Sequence, residues 1–245
     1  MHPTATIALV LVALAVGGFV YLGYPILRAV HASKDLMERA TPYEQHPASA
    51  TMRILIAGDS TAYGTGAARP EESLAGRLGA DFPQADIENV SQNGLRLEGL
   101  NEKLSTLESG AYDLVILQIG ANDIVGFTAL QKVRSELVRA LDHAEELGSA
   151  VVVITSGNIG LSPVFKAPIS ALLSERTRAV RSIFQEEIAK RQQVAYVDLY
   201  KNREDEPFNR DIPRYYASDL FHPSGDGYGL WYQELKPLLP SSLAN

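Results

Sequence analysis

Cysteine is absent from the 245-residue chain, and basic side chains are outnumbered by acidic ones. Without cysteine there is no disulfide, no thiolate nucleophile and no thiolate metal site, so a hydroxyl must carry any acyl chemistry. The five histidines form no cluster with metal-ligand spacing, and neither a metal nor another cofactor is expected. The 22 Lys and Arg against 29 Asp and Glu give a formal net charge of -7, which argues against nucleic acid as a partner.

Charged residues are also missing from Ala5 to Leu27, an apolar run near the N-terminus. This run is long enough for the ~20 residues that cross a membrane, and it exceeds the ~7–15 apolar residues of a signal peptide. We therefore expect residues 1–33 to form a transmembrane anchor, with a cleaved signal segment as the alternative, and Pro25 to stop or kink the helix. Residues 34–50 are expected to be a polar tether, and residues 51–245 the main domain.

Short apolar runs rich in strand-forming residues recur along the main domain. They are Met52–Ala57, Ala85–Val90, Leu114–Ile119, Ala150–Thr155 and Val194–Leu199. Helical periodicity lies between them, most clearly over 130–147, which Gly148 is expected to end, and over 169–191. The alternation predicts an α/β fold, a three-layer α/β/α sandwich around a mostly parallel five-stranded sheet. Ligands of such sheets bind at the carboxyl ends of the strands.

Four short polar motifs occur in the segments expected at the carboxyl ends of the strands. They are Gly58-Asp59-Ser60 after the first strand, Ser91-Gln92-Asn93-Gly94 after the second, Gly120-Ala121-Asn122-Asp123 after the third, and Asp219-Leu220-Phe221-His222-Pro223 in the C-terminal stretch. Each motif alone is typical of an ordinary turn or helix cap. Together they supply a hydroxyl, two donors for an oxyanion, and a base with an acid to orient it. Their convergence on one cleft predicts nucleophilic catalysis.

In these motifs the chain resembles the SGNH hydrolases, also called the GDSL lipase/esterase family. The likeness covers roughly 53–239 and is greatest to the small bacterial thioesterase/lysophospholipase type. It implies the flavodoxin-like SGNH hydrolase fold. It also implies a catalytic triad in which Ser60 is the nucleophile, His222 the base and Asp219 the acid that orients the base.

The resemblance further implies an oxyanion hole with three donors, namely the backbone N–H groups of Ser60 and Gly94 and the side-chain amide of Asn122. Thr61 stands where the family's nominal motif has Leu, which leaves the nucleophile assignment intact. A serine hydroxyl needs a base within hydrogen-bond reach, and His222 is the one histidine expected in the cleft. The others precede the domain or are expected on a helix surface: His2, His31, His46 and His143.

The expected activity is hydrolysis of a small-molecule or lipid ester, or of a thioester, through an acyl-enzyme intermediate. Two alternatives stay open: an acyltransferase acting on a sugar or alcohol, and a non-catalytic, membrane-anchored module that binds glycans or lipids. Gly64-Thr65-Gly66 suggests phosphate binding, but Arg69 replaces the third glycine of that motif. Apolar residues in the predicted cleft loops point to an acyl chain: Ile159, Leu161, Val164 and Phe165.

The side of the membrane is indicated by two opposing observations. Arg28, Lys34 and Arg39 follow the apolar run whereas no Lys or Arg precedes it, which by the positive-inside rule favours the cytoplasm. Exported hydrolases are the more usual bearers of such leaders. The expectation therefore leans toward the periplasmic or extracellular side, and the oligomeric state is left open.

Overall fold

Five short strands stand side by side at the centre of the molecule. The computed structural model describes residues 3–239, and its strands are β1 (Met52–Gly58), β2 (Ala85–Asn89), β3 (Tyr112–Gln118), β4 (Gly148–Ile154) and β5 (Val194–Val197). All neighbouring pairs are parallel, in the order β2-β1-β3-β4-β5. The predicted α/β fold and parallel sheet are confirmed. In this order the chain reverses direction across the sheet between β1 and β3, and such a reversal opens a crevice at their carboxyl ends.

Helices cover both faces of this sheet. In the main domain they are α3 (Ser60–Tyr63), α4 (Leu74–Asp81), α5 (Leu97–Leu104), α6 (Ala121–Val125), α7 (Leu130–Leu147), α8 (Ile169–Ile188), α9 (Ile212–Tyr215) and α10 (Gly225–Leu235), after α1 (Pro3–Gly18) and α2 (Tyr24–Arg39). Both long helices predicted from periodicity are present, and the second ends at Ile188 instead of 191. Gly148 does end α7, but with an extended backbone, because it already belongs to β4.

Two apolar cores lie on opposite faces of the sheet. On β1, Leu55 and Ala57 belong to the core under α5, α7 and α8, whereas Ile54 and Ile56 belong to the core under α4 and α10. Successive side chains of a strand point to opposite faces, so a strand that is covered on both sides must be apolar at every position. Burial on both faces holds the strand ends, and the loops that follow them, in fixed positions.

The N-terminal segment forms one long helical rod. A π-helical turn over Phe19–Gly23 joins α1 to α2, so the helix continues through Pro25 instead of stopping there. In the π turn the N–H of Tyr24 bonds to the carbonyl of Phe19, and Pro25 falls in the first turn of α2, where its missing donor is tolerated. Residues Leu11–Arg39 are long and apolar enough to cross a membrane, which fits either an anchor or a signal sequence.

Residues 34–50, predicted as a polar tether, lie against the main domain. The first six continue α2 to Arg39. Further on, Gln45 forms an antiparallel bridge with Ile87, its N–H bonding to the Ile87 carbonyl at 3.1 Å and its carbonyl accepting from the Ile87 N–H at 2.7 Å. Because β2 is an edge strand, its outer backbone groups need partners, and this segment supplies them. The route from the N-terminal helix to β1 therefore runs along the sheet.

The packing of α8 predicts unequal effects of two neighbouring substitutions. Leu173 is 3% exposed and Leu172 is 56% exposed. Leu173→Ala should lower the free energy of unfolding by about 2–5 kcal/mol, because it leaves a cavity in the core. Leu172→Ala should change it by no more than about 0.5 kcal/mol. Urea unfolding of both variants in detergent, followed by circular dichroism, measures the difference, and equal destabilisation would contradict the placement of α8.

Candidate active site

Ser60 lies where the interior strand β1 passes directly into a helix. Asp59 caps α3, because its Oδ1 accepts hydrogen bonds from the N–H of Thr61 at 2.9 Å and from the Thr61 hydroxyl at 2.7 Å. Ser60 is the first residue of α3, so its N–H has no acceptor within the helix. The cap therefore holds the Ser60 hydroxyl at the carboxyl end of the sheet, beside the crevice between β1 and β3.

Asp219 and His222 are placed by a tight turn. Asp219 Oδ1 accepts hydrogen bonds from the N–H groups of Phe221 at 3.0 Å and His222 at 2.9 Å. Leu220 has a φ of 58°, a left-handed conformation that is costly for a leucine. Its carbonyl accepts from the Ser162 hydroxyl at 2.8 Å. These bonds hold the turn in its strained form and place the imidazole beside the carboxylate.

The structure brings the three predicted triad residues into one hydrogen-bonded line. His222 Nε2 lies 2.9 Å from Ser60 Oγ, and His222 Nδ1 lies 2.5 Å from Asp219 Oδ2. All three side chains are buried. With Asp219 ionised, Nδ1–H donates to the carboxylate, which leaves Nε2 to accept from the serine hydroxyl. The arrangement is able to withdraw a proton from Ser60.

Gly66 allows the His222 turn to approach Ser60. Its φ is 101°, and a Cβ built on it would lie 2.3 Å from the Pro223 carbonyl oxygen and 3.0 Å from His222 Cβ. Any larger residue would push the histidine turn away. Beside it, Thr65 donates from its N–H to the Ser60 carbonyl at 2.9 Å. The glycines considered above for phosphate binding are therefore accounted for by packing.

Of the predicted oxyanion donors, Gly94 lies in the loop after β2 and Asn122 is the second residue of α6, which follows β3. Gly94 has a φ of 77°, which favours glycine, and no protein atom would crowd a Cβ there. Within residues 3–239 its N–H has no hydrogen-bond acceptor. Asn122 Nδ2 donates to the Leu95 carbonyl at 3.0 Å, so one amide hydrogen holds the Gly94 loop and the other is left for a ligand.

Ser33 is a site residue that sequence reasoning missed. It belongs to α2, and its hydroxyl donates to Asp219 Oδ2 at 2.7 Å. Burial would raise the pKa of Asp219, but the hydrogen bonds from His222 and Ser33 hold the pKa below its usual value. A serine in a helix 186 positions away carries no sequence signal for this contact, since it depends on how α2 lies on the domain.

Two cavities open on either side of Ser60 and His222. The first has a volume of about 50 Å³, and its lining mixes the polar side chains of Ser156, Asn158 and Glu206 with aromatic ones such as Phe208 and Trp231. Because it is the more polar of the two, we call it the polar cavity. Sequence reasoning missed Glu206, whose pKa is raised by burial. The second, which we call the α2 groove, has a volume of about 350 Å³ and lies between α2 and the cleft loops. Ile159, of the four apolar residues predicted around the cleft, borders the polar cavity, and Val164 and Phe165 border the α2 groove.

Comparison with known proteins finds relatives of most of the main domain. The family model described as GDSL-like Lipase/Acylhydrolase matches residues 56–230. A GDSL-like esterase of Mycobacterium tuberculosis is 24% identical over 200 residues, covering 78% of this chain. This chain spans only 60% of the length of that relative.

Two solved structures share the fold at low sequence identity. A member of the lipolytic protein G-D-S-L family from Veillonella parvula is 18% identical, with a TM-score of 0.59 over 77% of this chain and 98% of that chain. An acetylxylan esterase from Geobacillus stearothermophilus is 19% identical, with a TM-score of 0.52 over 78% of this chain and 96% of that chain. At these identities the likeness shows the fold alone.

The buried carboxylates Asp59 and Asp219 predict stability changes of opposite sign with pH. Burial raises the pKa of Asp59 despite the hydrogen bonds from Thr61, so its ionisation costs stability as pH rises above the unfolded value of about 3.9. Asp59→Asn keeps an acceptor for Thr61 without the charge. Its melting temperature relative to wild type should therefore rise between about pH 4 and pH 7.

For Asp219 the sign reverses, because its folded-state pKa is lowered. Its stabilising contribution is present above the unfolded pKa of about 3.9 and is lost as pH falls through the folded value. Asp219→Asn should therefore be more destabilising at about pH 6 than at about pH 3. Thermal unfolding of the two variants and the wild type across this range tests both signs, and the same pH trend in both variants would contradict the assigned environments.

Proposed function

Because the chain belongs to the GDSL-like lipase/acylhydrolase family, we propose that it is a serine esterase with Ser60 as its nucleophile. Membership of this family supports hydrolysis of esters as the activity. The observation that carries the finer assignment is the line of hydrogen bonds from Ser60 Oγ through His222 to Asp219, at 2.9 and 2.5 Å. A non-catalytic binding module would have no need of a buried, fully aligned set of this kind.

The proposed reaction has two stages. As Ser60 Oγ attacks the ester carbonyl carbon, His222 Nε2 takes the hydroxyl proton, and Asp219 stabilises the imidazolium that forms. The bond to the alcohol then breaks, and the alcohol leaves with the proton from His222, so that the acyl group remains on Ser60. In the second stage His222 takes a proton from water as the water oxygen attacks the acyl carbon. The bond between that carbon and Ser60 Oγ then breaks, Oγ takes the proton back from His222, and the carboxylic acid leaves.

Negative charge builds up on the carbonyl oxygen during both attacks. The N–H groups of Ser60 and Gly94 and the free amide hydrogen of Asn122 are the donors proposed for this oxygen. Asn122 has a double role in this scheme, because its second amide hydrogen holds the Leu95 carbonyl next to Gly94. The donors are thus positioned before the substrate arrives, which is what makes such a site effective.

We also propose that the N-terminal helix keeps the domain at a membrane, on the periplasmic or extracellular side. The helix Leu11–Arg39 contains a stretch long and apolar enough to cross a membrane, which supports the anchor. Large apolar side chains along the rod are exposed, and they include Ile7, Leu11, Val12, Val16, Phe19 and Val20. Because soluble proteins rarely expose continuous apolar surfaces of this kind, a bilayer is the environment that fits them.

Two histidine variants and a serine variant test the triad. Ser60→Ala and His222→Ala should each lower kcat for p-nitrophenyl acetate by at least about 10³-fold, since the nucleophile and its base act as one unit. His143→Ala, on α7 outside the cleft, is the matched control and should hydrolyse the ester at the wild-type rate. Covalent labelling by a fluorophosphonate should likewise be lost in Ser60→Ala and His222→Ala and kept in His143→Ala. Turnover or labelling that survives in Ser60→Ala would refute the assignment.

A variant at Asn122 tests the oxyanion assignment. Asn122→Ala should lower kcat by about 10²–10³-fold with little change in KM, because the lost hydrogen bond is made mainly in the transition state. Steady-state kinetics with p-nitrophenyl acetate separate the two parameters. A rise in KM at constant kcat would show instead that Asn122 serves ground-state binding.

A further inference from the structure

One face of α2 is turned toward the active site. The helix residues that border the α2 groove are Ile26, Ala29, Val30, Ser33, Lys34 and Met37. They are spaced three and four residues apart, so they form a single stripe along the helix. From Ile26 to Met37 the stripe is about 17 Å long, at 1.5 Å per residue. The groove is therefore an elongated space with a helical wall.

The opposite wall of the groove is the catalytic centre itself. Ser60, Asn122 and His222 border it, together with the apolar side chains of Val125 and Phe165. A ligand in the groove consequently lies within reach of the nucleophile. Because the polar cavity borders the same three residues, Ser60 lies next to two spaces with different linings, one mixed polar and aromatic and the other almost entirely apolar.

The contact between Ser33 and Asp219 ties the helical wall to the proposed triad. Ser33 borders the groove and also donates to Asp219 Oδ2 at 2.7 Å. The position of α2 that forms the groove is therefore the same position that completes the hydrogen bonds of Asp219. At its other end the groove reaches Ile26, which belongs to the uncharged run before Arg28. It thus extends from the nucleophile to the apolar part of the rod.

We propose that the α2 groove holds the acyl chain of the substrate, so that the enzyme acts on esters of long-chain acids. This inference rests on the proposed function, since it places the ester carbonyl at Ser60. The alcohol part then lies in the polar cavity beside Asn158 and Glu206. A volume of about 350 Å³ falls within the ~300–1,000 Å³ of small-molecule sites, and apolar walls favour hydrocarbon. Burial of each methylene is worth at most about fourfold in kcat/KM.

A bulky side chain in the stripe should shorten the groove. Val30 is 46% exposed and borders the groove, whereas Leu27 is 47% exposed on the same helix and does not border it. In Val30→Trp the ratio of kcat/KM for p-nitrophenyl laurate to that for p-nitrophenyl acetate should fall by about tenfold or more, since several methylenes lose their place. Leu27→Trp is the matched control and should keep the wild-type ratio. Both are measured on the full chain in one detergent at fixed concentration.

A second variant narrows the groove from its opposite wall. Val125→Trp, at the end of α6, should lower the same ratio, although it lies far from Val30 in sequence. If both variants keep the wild-type ratio, or if both esters lose rate equally, the acyl assignment is overturned while that of Ser60 stands. If the wild type hydrolyses neither ester and its Ser60 resists the fluorophosphonate, the proposed function itself fails.

Discussion

The parallel direction of the five strands is the constraint on which the site depends. Because every strand of the sheet runs the same way, the loops after β1, β2 and β3 emerge at one edge. Ser60, Gly94 and Asn122 each follow a different strand, and all three come to this edge although no long-range sequence signal joins them. The hydrogen bond between the Ser60 hydroxyl and His222 then joins this edge to a turn 162 residues further along the chain.

Placing His222, the proposed base, is more demanding than placing Ser60, the proposed nucleophile. Ser60 needs only the end of a buried strand and a capping aspartate. The His222 turn needs a left-handed leucine, a hydrogen bond from Ser162 and a glycine at position 66 against which it packs. Strain of this kind persists only where the surroundings outweigh it, and it is common where a side chain must be aimed for a chemical purpose. The cost falls on the turn that carries the imidazole.

The strands and the motif residues could be predicted from the sequence because each depends on a local pattern of residues. β1 is apolar at nearly every position, and Gly58-Asp59-Ser60 follows it directly, so strand and motif were predicted together. The meeting of Ser60 with His222 came from topology and family resemblance. Ser33, Gly66 and the contact of residues 34–50 with β2 were not predicted. Each of these depends on which surface a helix or loop packs against, and a residue pattern does not contain that information.

The α2 groove also has a consequence for how the N-terminal helix is held. Val30 and Val125, on its two walls, remain 46% and 40% exposed, so the helix meets the domain across a space that protein atoms do not fill. An apolar chain in that space would cover surface on both walls, and covering it is favourable. Binding of the chain and docking of the helix must then strengthen each other to the same extent, because coupling between two equilibria is reciprocal. Since Ser33 reaches Asp219 only when the helix is docked, an acyl substrate would promote the arrangement that completes the hydrogen bonds of the Asp219 carboxylate.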